Sequence, residues 1–260
     1  AIIAILASLL IPALQHARAA ARRIACLSNM RSSSNCMALY SSDNDGYIFL
    51  LGPPDDEDAW PPMDWAGMLA ENGYLSDGNG AVVRCPAEKP DTGPASSSGD
   101  SFGIAAISGS EYRFLAGAPG VTPRSNYGNN TFPDEDRPYV VYTYQLVSGS
   151  DHYRILRYLR HTTIGRPSLY VGFIDSWREN MEKQNHRLKA GNGPNGGTAI
   201  GGYNAGAAMR HGHDGRPRAN CVMWDGHAES ADPARLGRVG WNEAFAGNAG
   251  NYAIISLPQP

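Results

Sequence analysis

Hydrophobic positions are distributed very unevenly along this chain. Ala1 to Leu14 reads AIIAILASLLIPAL, apolar on every side except for one Ser and one Pro. The run continues without a break into QHARAAARRIACLSNMR, which is polar but still rich in helix formers. There Ile24, Leu27, Met30 and Met37 recur at helical spacing, with Arg22, Asn29 and Ser32 between them. The spacing predicts one helix over 1–42: an apolar segment at 1–14, then an amphipathic segment at 15–42 with one face packed on a domain. SSDNDG supplies the turn chemistry that ends it. Pro12 removes one backbone donor, so a kink or a loosened turn is expected there.

Past residue 43 the helical period gives way to alternation. Tyr139–Val147, Ser168–Asp175 and Ala219–Trp224 read as strands, the last followed by a tight Asp225-Gly226 turn into HAES. Arg154–Arg160 alternates basic and apolar residues and fits a strand or a short helix. From Tyr47 to Gly109 the chain is loop-rich, with a short helix expected over Trp65–Asn72 and Asp64 as its cap. GPPDDEDAWPP, KPDTGPASSSGDS and KAGNGPNGGTAIGG read as surface loops. The expected fold class is α+β: a long N-terminal helix on an antiparallel sheet with long loop insertions, residues 43–260 forming a globular head.

The apolar end narrows the functional classes. A cleaved secretory signal carries its basic residues before the apolar run, whereas Arg18, Arg22 and Arg23 follow it. An ordinary core helix is apolar along one stripe only. Fourteen residues fall short of the roughly 20 that span a bilayer. Such an end needs a cover, either a membrane or the same helix from neighbouring copies. The start, without Met or a polar lead-in, is that expected of a processed or trimmed product.

Composition adds limits. With 30 Gly, 18 Pro and 18% charged residues, a turn-rich head is favoured over a helical bundle. A net charge of −3 provides no basic footprint, so nucleic acid is not an expected partner. Four cysteines suit two disulfides in an oxidising compartment, with three connectivities; unbridged buried thiols are the alternative. Cys26 and Cys36 lie ten positions apart on one helix, about 15 Å by the helical rise, which excludes a bridge between them.

Several constellations bear on chemistry. Asp43-Asn44-Asp45-Gly46 has the opening of a calcium loop, but the twelfth position is Pro54, so a helix-ending turn is the better reading. The acid cluster Asp55–Asp58 reads as a solvated loop that can bridge calcium or a basic neighbour. His211, His213, Asp225 and His227 are of the types that ligate zinc, and an open site of that kind would activate water. The competing reading has His211 or His213 hydrogen-bonding the Asp225 turn and pinning a hairpin. No nucleophile elbow, P-loop or dinucleotide fingerprint is present. Cys221, inside a strand, reads as buried or bridged.

The N-terminal stretch AIIAILASLLIPALQHARAAARRIACLSNMR closely resembles the first helix of type IV pilins and of type II secretion pseudopilins. It is most similar to the pilin-like proteins of planctomycete-type and related Gram-negative bacteria. SSDNDGYIF, RCPAE around Cys85, SNYGNN at 125–130 and VGFIDSW at 171–177 resemble later elements of that family. RHGHDGRPRANCVMWDGHAES at 210–230 resembles its closing His-to-Asp-Gly-His signature, with a longer spacing from His213 to Asp225. Against the family pattern the chain opens about three turns into the mature helix, past the leader, the methylated residue and the glutamate.

The resemblance implies a non-enzymatic filament subunit without a cofactor, anchored in the inner membrane before assembly and extracellular afterwards. Its partners would be identical copies and the pilus or type II secretion machinery. Ile2, Ile3, Ile5, Leu6, Leu9, Leu10, Ile11, Pro12 and Leu14 would form the filament core. It also implies the pairings Cys26–Cys85 and Cys36–Cys221. The rivals are a type II secretion pseudopilin, a surface adhesin on a pilin stalk, and a zinc hydrolase using His211, His213 and His227.

Overall fold

A computed structural model of the chain describes residues 2–51, 65–75, 82–87, 103–104, 140–146, 153–160, 167–169, 171–179, 188, 200–202, 205–212, 216–239, 241–248 and 251–258. The architecture is α+β, with one long N-terminal helix and a set of antiparallel and mixed sheets. Helix α1 runs over Ile2–Asp43 and continues through Pro12. It ends where expected: Gly46 N–H donates to the Ser41 carbonyl at 2.8 Å, and Asp45 and Gly46 take positive φ. This is a helix-terminating turn, with the Asp43 carboxylate accepting from Tyr74 Oη at 2.8 Å. The acid cluster at 55–58, the Asp64 cap and the SNYGNN segment lie outside the described residues.

Strand β1 (Tyr47–Leu51) pairs with β4 (Tyr153–Arg160), which also pairs with β3 (Val140–Leu146). The RILRYLR segment is therefore a strand. A second sheet has the order β2 (Gly103–Ile104), β5 (Val171–Ile174), β8 (Ala219–Met223), β9 (Ala228–Ala231). A third has the order β11 (Asn251–Ser256), β10 (Glu243–Asn248), β7 (Gly206–Met209), β6 (Ser176–Trp177). One pairing, β10 with β7, is parallel, so the wholly antiparallel sheet expected from the sequence is corrected to a mixed set. Residues 167–169 form a 3₁₀ turn before β5, which shortens the strand expected to begin at Ser168. Helix α2 covers Trp65–Glu71, and α3 covers Pro233–Arg238 with Asp232 as its N-cap.

The second sheet separates two cores. Phe173, Val222 and Trp224 point to the side of α1, where they meet Cys26, Met30, Met37, Tyr40, Trp65 and Leu69. Ala219, Cys221 and Met223 point the other way, toward Val239, Trp241 and Leu257. This is the period of two that a strand imposes. The stripe that α1 buries is Cys26, Met30, Ser33, Met37 and Tyr40, at alternating spacings of four and three. The expected stripe is thus corrected by a rotation. Met30 and Met37 hold, but Ile24 is 62% exposed and Leu27 is half-buried, because each lies off the line through Cys26 and Met30.

Candidate functional site

Two features stand out, one along the N-terminal arm of α1 and one where α1 becomes buried. From Ile2 to Ala19 every residue is exposed, and the helix reaches its own head only near Cys26. That leaves an arm about 35 Å long by the helical rise. Ile2, Ile3, Ile5, Leu6, Leu9, Leu10, Ile11 and Leu14 are between 52% and 83% exposed on it. The helix contains a stretch long and apolar enough to cross a membrane, none of it buried against the head. That stretch is longer than the 14-residue run expected to fall short, because it reaches past Leu14 and takes in Arg18.

The second feature is polar and buried. Cys26, Cys85, Asp175 and His211 bring one sulfur, one sulfur, one carboxylate oxygen and one ring nitrogen within 4.8 Å of one another. Each comes from a different part of the fold. Cys26 opens the buried stripe of α1. Cys85 lies in the 82–87 segment, which runs along the helix: Asn29 Nδ2 donates to the Arg84 carbonyl and Ser33 Oγ to the Val82 carbonyl, both at 3.0 Å.

Asp175 is the single residue between β5 and β6, where the chain passes from the second sheet to the third. Its N–H donates to the Asn220 carbonyl at 3.1 Å, and its carbonyl accepts from Ala208 N–H at 2.8 Å. Both sheets therefore hold its backbone. His211 follows β7, and its N–H donates to the Arg218 carbonyl at 3.0 Å. Gly212 then permits the return of the chain, since a Cβ there would lie 2.5 Å from the Arg216 carbonyl oxygen.

His211 Nε2 stands 2.9 Å from Asp175 Oδ2 and 3.3 Å from Cys85 Sγ. Cys26 Sγ stands 3.4 and 3.5 Å from the two Asp175 carboxylate oxygens. Burial drives the Asp175 carboxyl up to about 7, reinforced by the Cys85 thiolate and opposed by His211. Burial disfavours a charged His211, but Asp175 and the hydrogen bonds to Asp175 and Cys85 outweigh it and carry His211 up to about 9. Burial likewise opposes the Cys85 thiolate, yet hydrogen bonds from Cys26 and His211, with the positive Arg210 nearby, bring it down to about 4. Arg210 is itself buried, donating to the Ser176 carbonyl and lying over the Tyr252 ring.

A nucleophilic triad places the nucleophile and the orienting carboxylate on opposite nitrogens of the imidazole. Here Cys85 and Asp175 address the same nitrogen, Nε2. The geometry is one of convergence on a point, not of relay through a ring. All four residues are at most 7% exposed.

The sequence-predicted residues are redistributed. His211 is drawn into the interior, whereas His227 stays exposed and bonds Asp225, Nδ1 to Oδ1, at 2.6 Å. The expected convergence of His211 with Asp225 and His227 is thus replaced by two separate pairs, and the hairpin turn is held by His227 instead of His211. His213 lies outside the described residues. All four cysteines are thiols. Cys26 and Cys85 are neighbours, but the expected partner of Cys36 is remote in packing. Cys36 packs against the core beneath α1, while Cys221 faces the second core across the sheet. Strand alternation turns Cys221 away from the helix, and burial holds its thiol protonated.

Asp175 was not singled out by sequence as a site residue. A carboxylate ending an apolar strand, in VGFID, was the available signal. Comparison with protein-family models, with curated proteins and with solved structures finds no match for this chain.

Proposed function

We propose that this chain is the structural subunit of an extracellular, type IV pilus-like helical filament assembled through its N-terminal helix. The observation that carries the reading is the bare apolar arm, with its eight large aliphatic side chains turned to solvent. Covering each one stabilises by about 1–2 kcal/mol, so a full set stabilises an assembly by about 10 kcal/mol per subunit. The helix also keeps Ile24 and Leu39 62% and 60% exposed. Each is two residues, about 200° of helical turn, from buried Cys26 or Met37 and so faces away from the head. Apolar groups on the outer face of the helix suit packing beside neighbouring helices.

Before assembly, the same arm suits a bilayer, and Arg18, Arg22 and Arg23 mark the exit from the apolar zone. A head-to-tail contact of this kind does not close on itself and propagates as a fibre. The sequence resemblance to pilins supports the same reading. The test is electron microscopy of surface material sheared from cells, with Leu9→Asp or Leu10→Asp as the disrupting change. Long, uniform fibres made of this chain, lost in either variant while the head stays folded, are the expected result. Short stubs confined to the envelope would favour a secretion pseudopilus. Normal fibres from either variant would overturn the core assignment.

A further inference from the structure

We propose that Cys26, Cys85, Asp175 and His211 form a closed, four-coordinate site for a zinc-class divalent ion that fastens the long helix to the head. The inference stands on the geometry of the head and does not depend on filament assembly.

Four observations carry it. The donor set, two sulfurs, one imidazole nitrogen and one carboxylate oxygen, suits borderline-soft zinc and not calcium or magnesium, which take oxygen. The spacing fits as well. Bonds of about 2.3 Å to sulfur and about 2.0–2.2 Å to nitrogen or oxygen set tetrahedral ligands about 3.3–3.8 Å apart. The closest approaches here are 2.9, 3.3 and 3.4 Å, and all the ligand atoms fall within 4.8 Å. Shifts of a few tenths of an ångström to about 1 Å would admit the ion.

Charge points the same way. With an ion bound, two thiolates and the Asp175 carboxylate would be set against the divalent ion and buried Arg210, leaving no net charge among them in a site that excludes water; binding would displace the remaining protons of the ligands. Finally, the ligands come from α1, the 82–87 segment, the β5–β6 junction and the second residue after β7. An ion bound here joins four segments that are far apart in sequence. Because the protein supplies all four positions, no open position remains for water, and the site is structural, not catalytic.

The test uses the full chain, purified in detergent under reducing conditions. Its metal content is measured, and it is then stripped and titrated with Co(II). The expected results are one zinc per chain and, with cobalt, thiolate-to-metal charge transfer together with the visible bands of a tetrahedral ion. Cys26→Ser and Cys85→Ser should abolish those bands, while Cys36→Ser should retain them. Should the ligand variants fail to fold, the cobalt spectrum of the unaltered chain decides alone, because thiolate coordination is visible in it. An absence of zinc and of thiolate–cobalt bands would overturn the proposal. So would a Cys26–Cys85 disulfide, found by mass spectrometry in protein isolated from its native envelope.

Discussion

The exposed N-terminal arm of α1 and the point where α1 becomes buried present opposite problems to the same helix. Over residues 2–19 apolar side chains stand in solvent. Past Cys26 ionisable groups stand in a dry interior. Neither arrangement is comfortable for an isolated chain: exposed apolar area favours association, and buried charge requires a compensating partner. The arm points to what lies outside the molecule. The cluster points to how the arm is gripped, since Cys26 is where the helix first becomes buried. The site therefore lies where the exposed arm gives way to the buried part of the helix.

The largest effect should come from the arm. Leu9→Asp places a charge among apolar helices and should eliminate fibres, whereas the head should unfold at an unchanged temperature, measured by circular dichroism. A change in both would mean that the arm packs on its own head. Second in size is removal of the ion from the full chain by a chelator. A structural zinc contributes to folding directly, so losing about 3–5 kcal/mol should lower the unfolding midpoint by roughly 10 °C. An unchanged midpoint would show that the cluster holds itself together without metal. Third, Ile24→Asp or Leu39→Asp should weaken or shorten fibres with little effect on head stability, because both residues face away from the core. If either destabilises the head as much as a core change does, the outer face of the helix is not an assembly surface.

The sequence disclosed these two regions unequally. The arm was legible because fourteen nearly uninterrupted apolar residues leave no periodicity to interpret. The strands ending at Met223 and Ile174 were legible from their apolar, strand-forming residues, the first also from the Asp225-Gly226 turn that follows it. The closing hairpin of β10 and β11 was not, since AFAGN and NYAIIS combine Ala, Gly and Asn, which have weak strand preference, with an exposed outer strand. The site was half legible. Cys26, Cys85 and His211 were each noted in the segments CLSNMR, RCPAE and RHGHDG, and VGFIDSW was noted without its Asp175. What joins them is tertiary: sequence separations of 59, 90 and 36 between successive members carry no local signal. Local spacing instead favoured His213, Asp225 and His227, which lie near His211 in sequence.

The two smallest effects separate the buried set from that local one. Asn220 is fully buried beside the cluster, where its Nδ2 donates to the Arg23 carbonyl at 2.9 Å and its amide addresses the Cys26 thiol. Asn220→Ala should cost about 1 kcal/mol by removing this part-buried hydrogen bond between sheet and helix. It should also weaken cobalt binding by about 10-fold to 100-fold, as loss of an outer partner does elsewhere. His227 is exposed, and its imidazole bonds its own turn partner, Asp225. His227→Ala should therefore leave cobalt affinity unchanged and shift stability by no more than about 0.5 kcal/mol. Loss of the cobalt spectrum in His227→Ala but not in Cys85→Ser would move the metal to His227 and leave the interior cluster as a purely hydrogen-bonded junction. The reverse pattern follows from the structure, because the imidazole that meets two sulfurs and a carboxylate is that of His211.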